Sequence, residues 1–266
     1  MRYFFHIAYQ GQYFSGWQKQ PGVKSVQEVI EQTLSKILKL PIAINGCGRT
    51  DAHVHASQFF FHADIEKAID FDLLYILNKA LPYNIAVFDI IKMEGKPHAR
   101  FDAVQRKYDY FVHTYKDPFL STQSSFYQVS DLNFDKMKAV VKLLPKYKDY
   151  RAFCTHPDKY EHTICNVMEA DLSVNPKGDR FRFHIASNRF LGKMIRITMG
   201  KLLMVGKNEL SVDEFENDLI TLQASKLSLP AHPTGLYLSK VTYPYLNLEP
   251  RTDFISPLLG TEWISV

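Results

Sequence analysis

The chain has 266 residues, enough for one large or two ordinary domains, and its 46% hydrophobic and 23% charged residues exclude a disordered or fibrous protein. Lys and Arg outnumber Asp and Glu by only 32 to 28, a balance too even to name a polyanionic partner, and three cysteines (Cys47, Cys154, Cys165) are too few and scattered for a disulfide framework or a CxxC metal site. MRYFFHIAYQ lacks the organisation of a cleavable signal and no apolar run approaches ~18 residues, so a reducing, cytoplasmic setting with no membrane span is expected.

The predicted elements run in a clear order. Arg2–Tyr9 alternates as a strand, and Ser25–Leu38 reads as a helix opened by a Ser25–Glu28 capping box, with Val26, Val29, Ile30, Thr33 and Ile37 on one face. Pro41–Asn45 and Ala56–His62 are short strand candidates, and the stretch between them contains GCGRTDAHVHA. A helix at Asp72–Leu81, stopped by Pro82, and a strand at Ile85–Lys92 complete a βαββαβ order. A second pass starts with a strand at Lys107–Thr114, in which Tyr108, Tyr110 and Val112 point one way. A helix at Phe134–Leu144, strands at Cys165–Val174 and Arg180–Ser187, helices at Phe190–Val205 and Val212–Leu222, and a strand at Leu236–Tyr243 follow. The orders βαββαβ and βαββααβ predict an α+β fold of two ferredoxin-like halves related by pseudo-symmetry, residues 1–104 and 105–266, with the active site in a cleft between them.

Charge is concentrated in one segment. From Lys177 to Lys207 eight basic residues face a single acid, Asp179, a local balance of +7 that suits a phosphate backbone. Arg189, Lys193 and Arg196 recur at helical spacing and are expected on one helix face, with Leu191, Met194, Ile195, Thr198 and Leu202 as core on the opposite side.

GCGRTDAHVHA supports two chemistries. Asp51, His53 and His55 spell D-x-H-x-H, and two histidines two apart on a strand would share a face and could share a metal ion, as in a metal-dependent hydrolase. A barrel hydrolase, however, needs further ligands at later strand ends, and βαββαβ is not such a repeat. Alternatively Asp51 is a lone catalytic carboxylate kept ionised by Arg49 as a nearby positive group, with Gly46 and Gly48 permitting a sharp turn.

Five ordered segments decide between them. YQGQYFSGWQKQ with SVQEVIEQTL, GCGRTDAHVHA, ALPYNIAV with HARFDAVQRKYDY, RFLGKMIRITMGKLLMVG and GLYLSKVTYP together resemble the tRNA pseudouridine synthase A family almost end to end. The resemblance implies a cofactor-free, metal-free isomerase acting on tRNA, on the anticodon stem-loop around tRNA positions 38 to 40, and a homodimer. It implies three catalytic residues: Asp51 as nucleophile, at C6 of the base or at the sugar; Tyr108 as the ring stacked on the base; and Arg196 as the cation paired with the aspartate. Substrate binding would fall to Arg49, Thr50, His53, Arg106, Arg189, Lys193 and Leu238, with Arg49 either orienting the flipped nucleotide or neutralising phosphate and Leu238 flooring the pocket. His53 stands where the family usually has glycine, and Thr122–His162 matches poorly. A catalytically altered tRNA-binding module or RNA chaperone of the same fold is the rival that this departure raises.

Overall fold

Bulky residues crowd both faces of the first strand. In the computed structural model, which describes residues 1–66, 69–226, 229–251 and 264–265, that strand is β1 (Arg2–Tyr9), and Phe4, Phe5, His6 and Ile7 are all buried. In chain order there follow α1 (Val26–Leu38), β2 (Ile44–Gly46), β3 (His55–Asp64), α2 (Leu73–Ala80), β4 (Ile85–Lys92), β5 (Gln105–His113), β6 (Ser125–Phe126), α3 (Phe134–Val141), β7 (Val167–Val174), β8 (Arg180–Ser187), α4 (Met194–Gly206), α5 (Val212–Thr221), β9 (Leu236–Thr242) and β10 (Ile264–Ser265). The fold is α+β with mostly antiparallel pairing, and both predicted element orders are present, with β6 and β10 added. No described helix is long and apolar enough to cross a membrane.

Two compact units form: Met1–Arg106 with the segment that starts at Tyr237, and Lys107–Leu236. In the first, the strand order is β9-β3-β1-β4, with β2 on β3. β3 joins β9 in parallel at His55–Tyr237 and Ala56–Leu238, while β1 joins β3 antiparallel. One sheet face packs Trp17 on Phe59 (4.1 Å between ring centroids) and stacks Phe5 on Phe61 (4.6 Å). The other sets Phe60 edge-on to Tyr243 at 5.4 Å, which is why all but the last residue of β3 is buried.

Helix α1 starts with one half of the expected capping box, the Ser25 hydroxyl accepting the Glu28 N–H at 3.3 Å. Its buried stripe is Val26, Ile30, Leu34 and Leu38, whereas Val29, Thr33 and Ile37 are only half-buried. A strict i+4 row faces the core because Leu34 and Leu38 outweigh Thr33 in the area they remove from water.

In the second unit the order is β10-β7-β8-β5, with β6 parallel to β5, and α3 packs on α4, α5 and β7. α3 ends at Val141 rather than Leu144 because Pro145 turns the chain into a 3-10 segment, Leu144–Lys146. On β5, Tyr110 and Val112 share a face as expected, but Asp109, Phe111 and His113 are buried as well, so the strand is covered on both sides.

Candidate active site

The loop Cys47–Val54 between β2 and β3 is held by backbone hydrogen bonds and by several side chains. The Cys47 N–H donates to Phe60 O at 2.7 Å, and the Val54 N–H donates to Asp51 O at 3.2 Å. Thr50 O accepts the Trp17 N–H and the His53 N–H reaches Phe14 O, both at 3.2 Å, so GQYFSGW lies directly against the loop. Two glycines make that approach possible. A Cβ on Gly11 would stand 2.0 Å from Val54 O, and one on Gly16, whose φ is 89°, 2.6 Å from Thr50 O. Neither position admits a side chain without moving the loop. Glycines five apart beside aromatics were the available signal of this support, and spacing alone did not assign it.

Within the loop Asp51 is half-buried, Arg49 and His53 are exposed, and Thr50 is buried. The Thr50 hydroxyl bonds the Tyr9 hydroxyl at 2.9 Å, which ties the residue before Asp51 to β1. Arg106 fills a similar supporting place: its Nη2 donates to Cys47 O at 2.7 Å and to Arg100 O at 2.8 Å, and its Nη1 to Ala103 O at 3.3 Å. Leu238 is buried on β9 opposite Ala56. Cys47 is fully buried, and burial pushes its thiol up to about 11, which leaves it protonated and inert at neutral pH.

The geometry separates the two histidines of D-x-H-x-H. β3 begins only at His55, and His53 sits in a turn with φ 65°, so the strand register that would put both rings on one face is missing. The His53 ring stays exposed and bonds Gln12 O through Nδ1 at 2.9 Å. That of His55 is buried, stacks on Tyr237 at 4.5 Å and accepts the Gly11 N–H at 3.2 Å. Among the described residues no group of three His, Cys, Asp or Glu side chains is placed to hold a metal ion.

The second unit carries Tyr108, Arg189, Lys193 and Arg196. Tyr108, on β5, is half-buried and meets Phe190 edge-on at 5.1 Å. Arg196 is clamped reciprocally: its Nε donates to Ala231 O at 2.7 Å, and its own carbonyl accepts the Ala231 N–H at 2.8 Å. The expected common helix face for Arg189, Lys193 and Arg196 is not formed. α4 begins at Met194, and Lys193 precedes it in a left-handed conformation (φ 58°) with its side chain exposed. Arg189 lies before that turn, against His162 (3.3 Å) and over the Tyr160 ring (6.0 Å). The break has a local cause, because Gly192 is engaged by Thr155 and Tyr160 and its N–H donates to the Tyr160 hydroxyl at 2.9 Å instead of continuing a helix. The expected core residues Leu191, Met194, Ile195, Thr198 and Leu202 are all buried.

The basic cluster is also less positive than its composition suggests. Lys201 is buried on α4 and pairs with Asp218 at 2.7 Å; Arg182 faces Asp109 at 3.8 Å and Lys207 faces Glu209 at 3.9 Å. Arg180 Nε donates to the Tyr115 hydroxyl at 2.7 Å. At least three of the eight cations therefore have acidic partners.

Known proteins with related sequences agree with the family that the motifs suggest. A family model described as tRNA pseudouridine synthase matches residues 147–244. Proteins named tRNA pseudouridine synthase A from Porphyromonas gingivalis and Parabacteroides distasonis are 36% and 38% identical to this chain, each over 91% of it and over 97% and 96% of their own lengths. That of Bacteroides thetaiotaomicron is 34% identical over 97% of both chains. Full-length similarity at this level, together with the supported G-R-T-D loop, means that the chain belongs to the tRNA pseudouridine synthase A family.

Proposed function

We propose that this RNA pseudouridine synthase acts on tRNA, isomerising anticodon stem-loop uridines at tRNA positions 38 to 40, with Asp51 as nucleophile. The reaction breaks the N1–C1′ bond of uridine and forms C5–C1′; the C5 proton leaves, N1 gains one, and nothing is oxidised. It therefore requires no redox cofactor. A carboxylate able to attack C6 or C1′ and then depart is sufficient, provided it stays ionised and still.

The observation that carries this reading is the fixed Cys47–Val54 loop. Asp51 is half-buried on a backbone anchored at Cys47, Thr50, His53 and Val54, so little ordering is left to be done when substrate binds. Arg196 is assigned the balancing positive charge and Tyr108 the stacking ring, both on family resemblance. Arg49, His53, Arg189 and Lys193 are assigned RNA contacts, consistent with accessible side chains. Thr50, Arg106 and Leu238 serve binding indirectly, by holding the loop and strand beneath it. A homodimer of chains, each built from two pseudo-symmetric ferredoxin-like halves, belongs to the same proposal; the like element orders support the duplication.

The test is Asp51→Asn, which keeps the side-chain size. We expect tRNA affinity close to wild type and no tritium release from C5-tritiated tRNA. Retained release would overturn the nucleophile assignment. If wild-type protein shifts tRNA in gels but releases no tritium, the rival of a tRNA-binding module takes its place.

A further inference from the structure

We propose that the turn His98–Asp102 is a stacking platform for an unpaired RNA base, with the ring of Phe101 taking the base face and the Arg100 guanidinium the adjoining phosphate. The proposal rests on RNA being the substrate. Phe101 is 75% exposed, which for a large apolar ring gives the fold almost nothing in buried area. Yet it is not on a loose loop. The Asp102 N–H donates to His98 O at 3.1 Å and the His98 N–H to the Asp102 carboxylate at 2.8 Å, closing the turn from both ends. Inside it, the N–H groups of Arg100 and Phe101 both point to His98 Nδ1, at 3.1 and 3.4 Å. The base of the turn is buried at Ala99, whose N–H donates to His62 Nδ1 at 3.1 Å and whose carbonyl accepts the Tyr243 hydroxyl at 2.6 Å.

The ring is thus displayed on a rigid support, leaning on the His98 imidazole (4.3 Å between centroids) with Arg100 5.9 Å from its own centroid. A ring carried on a fixed backbone and resting on a neighbouring imidazole needs less ordering on binding than one on a loose loop, and a neighbouring cation selects an anionic partner. A π face beside a guanidinium suits a nucleotide, since any base can stack and every nucleotide brings a phosphate. The platform is also tied to the proposed chemistry. Arg106 Nη2 bonds both Arg100 O in this turn and Cys47 O at the start of the Asp51 loop, so one guanidinium fixes the two in register. A base held on Phe101 would thereby position the RNA strand relative to Asp51.

The experiment measures tRNA affinity for wild-type protein and for Phe101→Ala, Phe101→Leu, Phe101→Trp and Arg100→Gln, each checked for an unchanged melting curve. The alanine and leucine variants should bind about tenfold more weakly, because both lose the π face, while tryptophan should bind as wild type. Arg100→Gln should reduce the slope of log affinity against log salt by about one phosphate contact. Wild-type affinity in Phe101→Ala or in Phe101→Leu would overturn the proposal. So would a change in sedimenting mass without a change in RNA affinity, which would make the ring a contact between copies of the chain. Tritium release by the wild-type protein is scored separately, so a protein that binds through Phe101 without isomerising uridine would refute the activity and leave the platform standing.

Discussion

His53 holds a backbone angle of φ 65°, which costs a residue with a Cβ about 1 kcal/mol relative to the right-handed region. Two bonds keep it there: its N–H donates to Phe14 O at 3.2 Å and its ring Nδ1 to Gln12 O at 2.9 Å. The second requires a proton on Nδ1, since a carbonyl oxygen can only accept. Glycine, the residue that the family resemblance implies here, would relieve the strain and lose the ring bond, two effects of similar size and opposite sign. His53→Gly should therefore melt close to wild type. His53→Ala, which keeps the strain and loses the bond, should be less stable by about 1 kcal/mol, read from denaturant midpoints at constant slope. Equal midpoints for the two variants would show that the angle carries no cost.

At the scale of elements, α4 shows what can be read from sequence and what cannot. Its core residues were legible because apolar positions recur with helical period, and β4 and β8 have the predicted bounds. Its start was not legible, since Arg189 and Lys193 continue the helical spacing while the break at Gly192 is imposed by Thr155 and Tyr160, over thirty residues earlier. Asp51 could be singled out because its neighbours form a compact motif; Arg106 as the link between two loops could not, because its acceptors are carbonyls with no side-chain signature. The same limit hid the fate of Lys201, counted in sequence among cations facing a polyanion. It is buried against Asp218, which in turn accepts the Ser225 N–H at 2.6 Å, and it donates to Lys226 O at 2.9 Å, so the pair fastens α4 to α5 and to the segment after it. Lys201→Met would strand a buried carboxylate and should cost about 3 to 5 kcal/mol in denaturant unfolding, whereas Lys201→Met with Asp218→Leu should recover most of that loss. A mild effect of the single change would mean that Asp218 finds another partner.

Across the whole molecule, buried histidines set the response to acid. His6, His62 and His113 are buried at 1%, 2% and 1% exposure, and burial is the first cause that pulls each below its ordinary value; Arg2 adds repulsion at His62, which falls to about 4. Burial lowers His98 in the same direction. The folded chain holds these rings less protonated than the unfolded chain, whose histidines take up protons below about pH 6.5. Between pH 6.5 and about 4 the unfolded state therefore binds more protons, and stability must fall as the pH falls through that window. Paired carboxylates act in the same direction further into acid: hydrogen bonds from Arg2 to Asp64 and from Lys107 to Glu169 hold those groups below their usual range, so their contribution is lost progressively from about pH 5 downward. The melting temperature should accordingly drop by several degrees from pH 7.5 to pH 5, and His62→Gln, whose amide oxygen can still accept the Ala99 N–H, should flatten part of that slope. A melting temperature that is level across this range, or a His62→Gln slope identical to wild type, would mean that these rings take up protons without unfolding the chain around them.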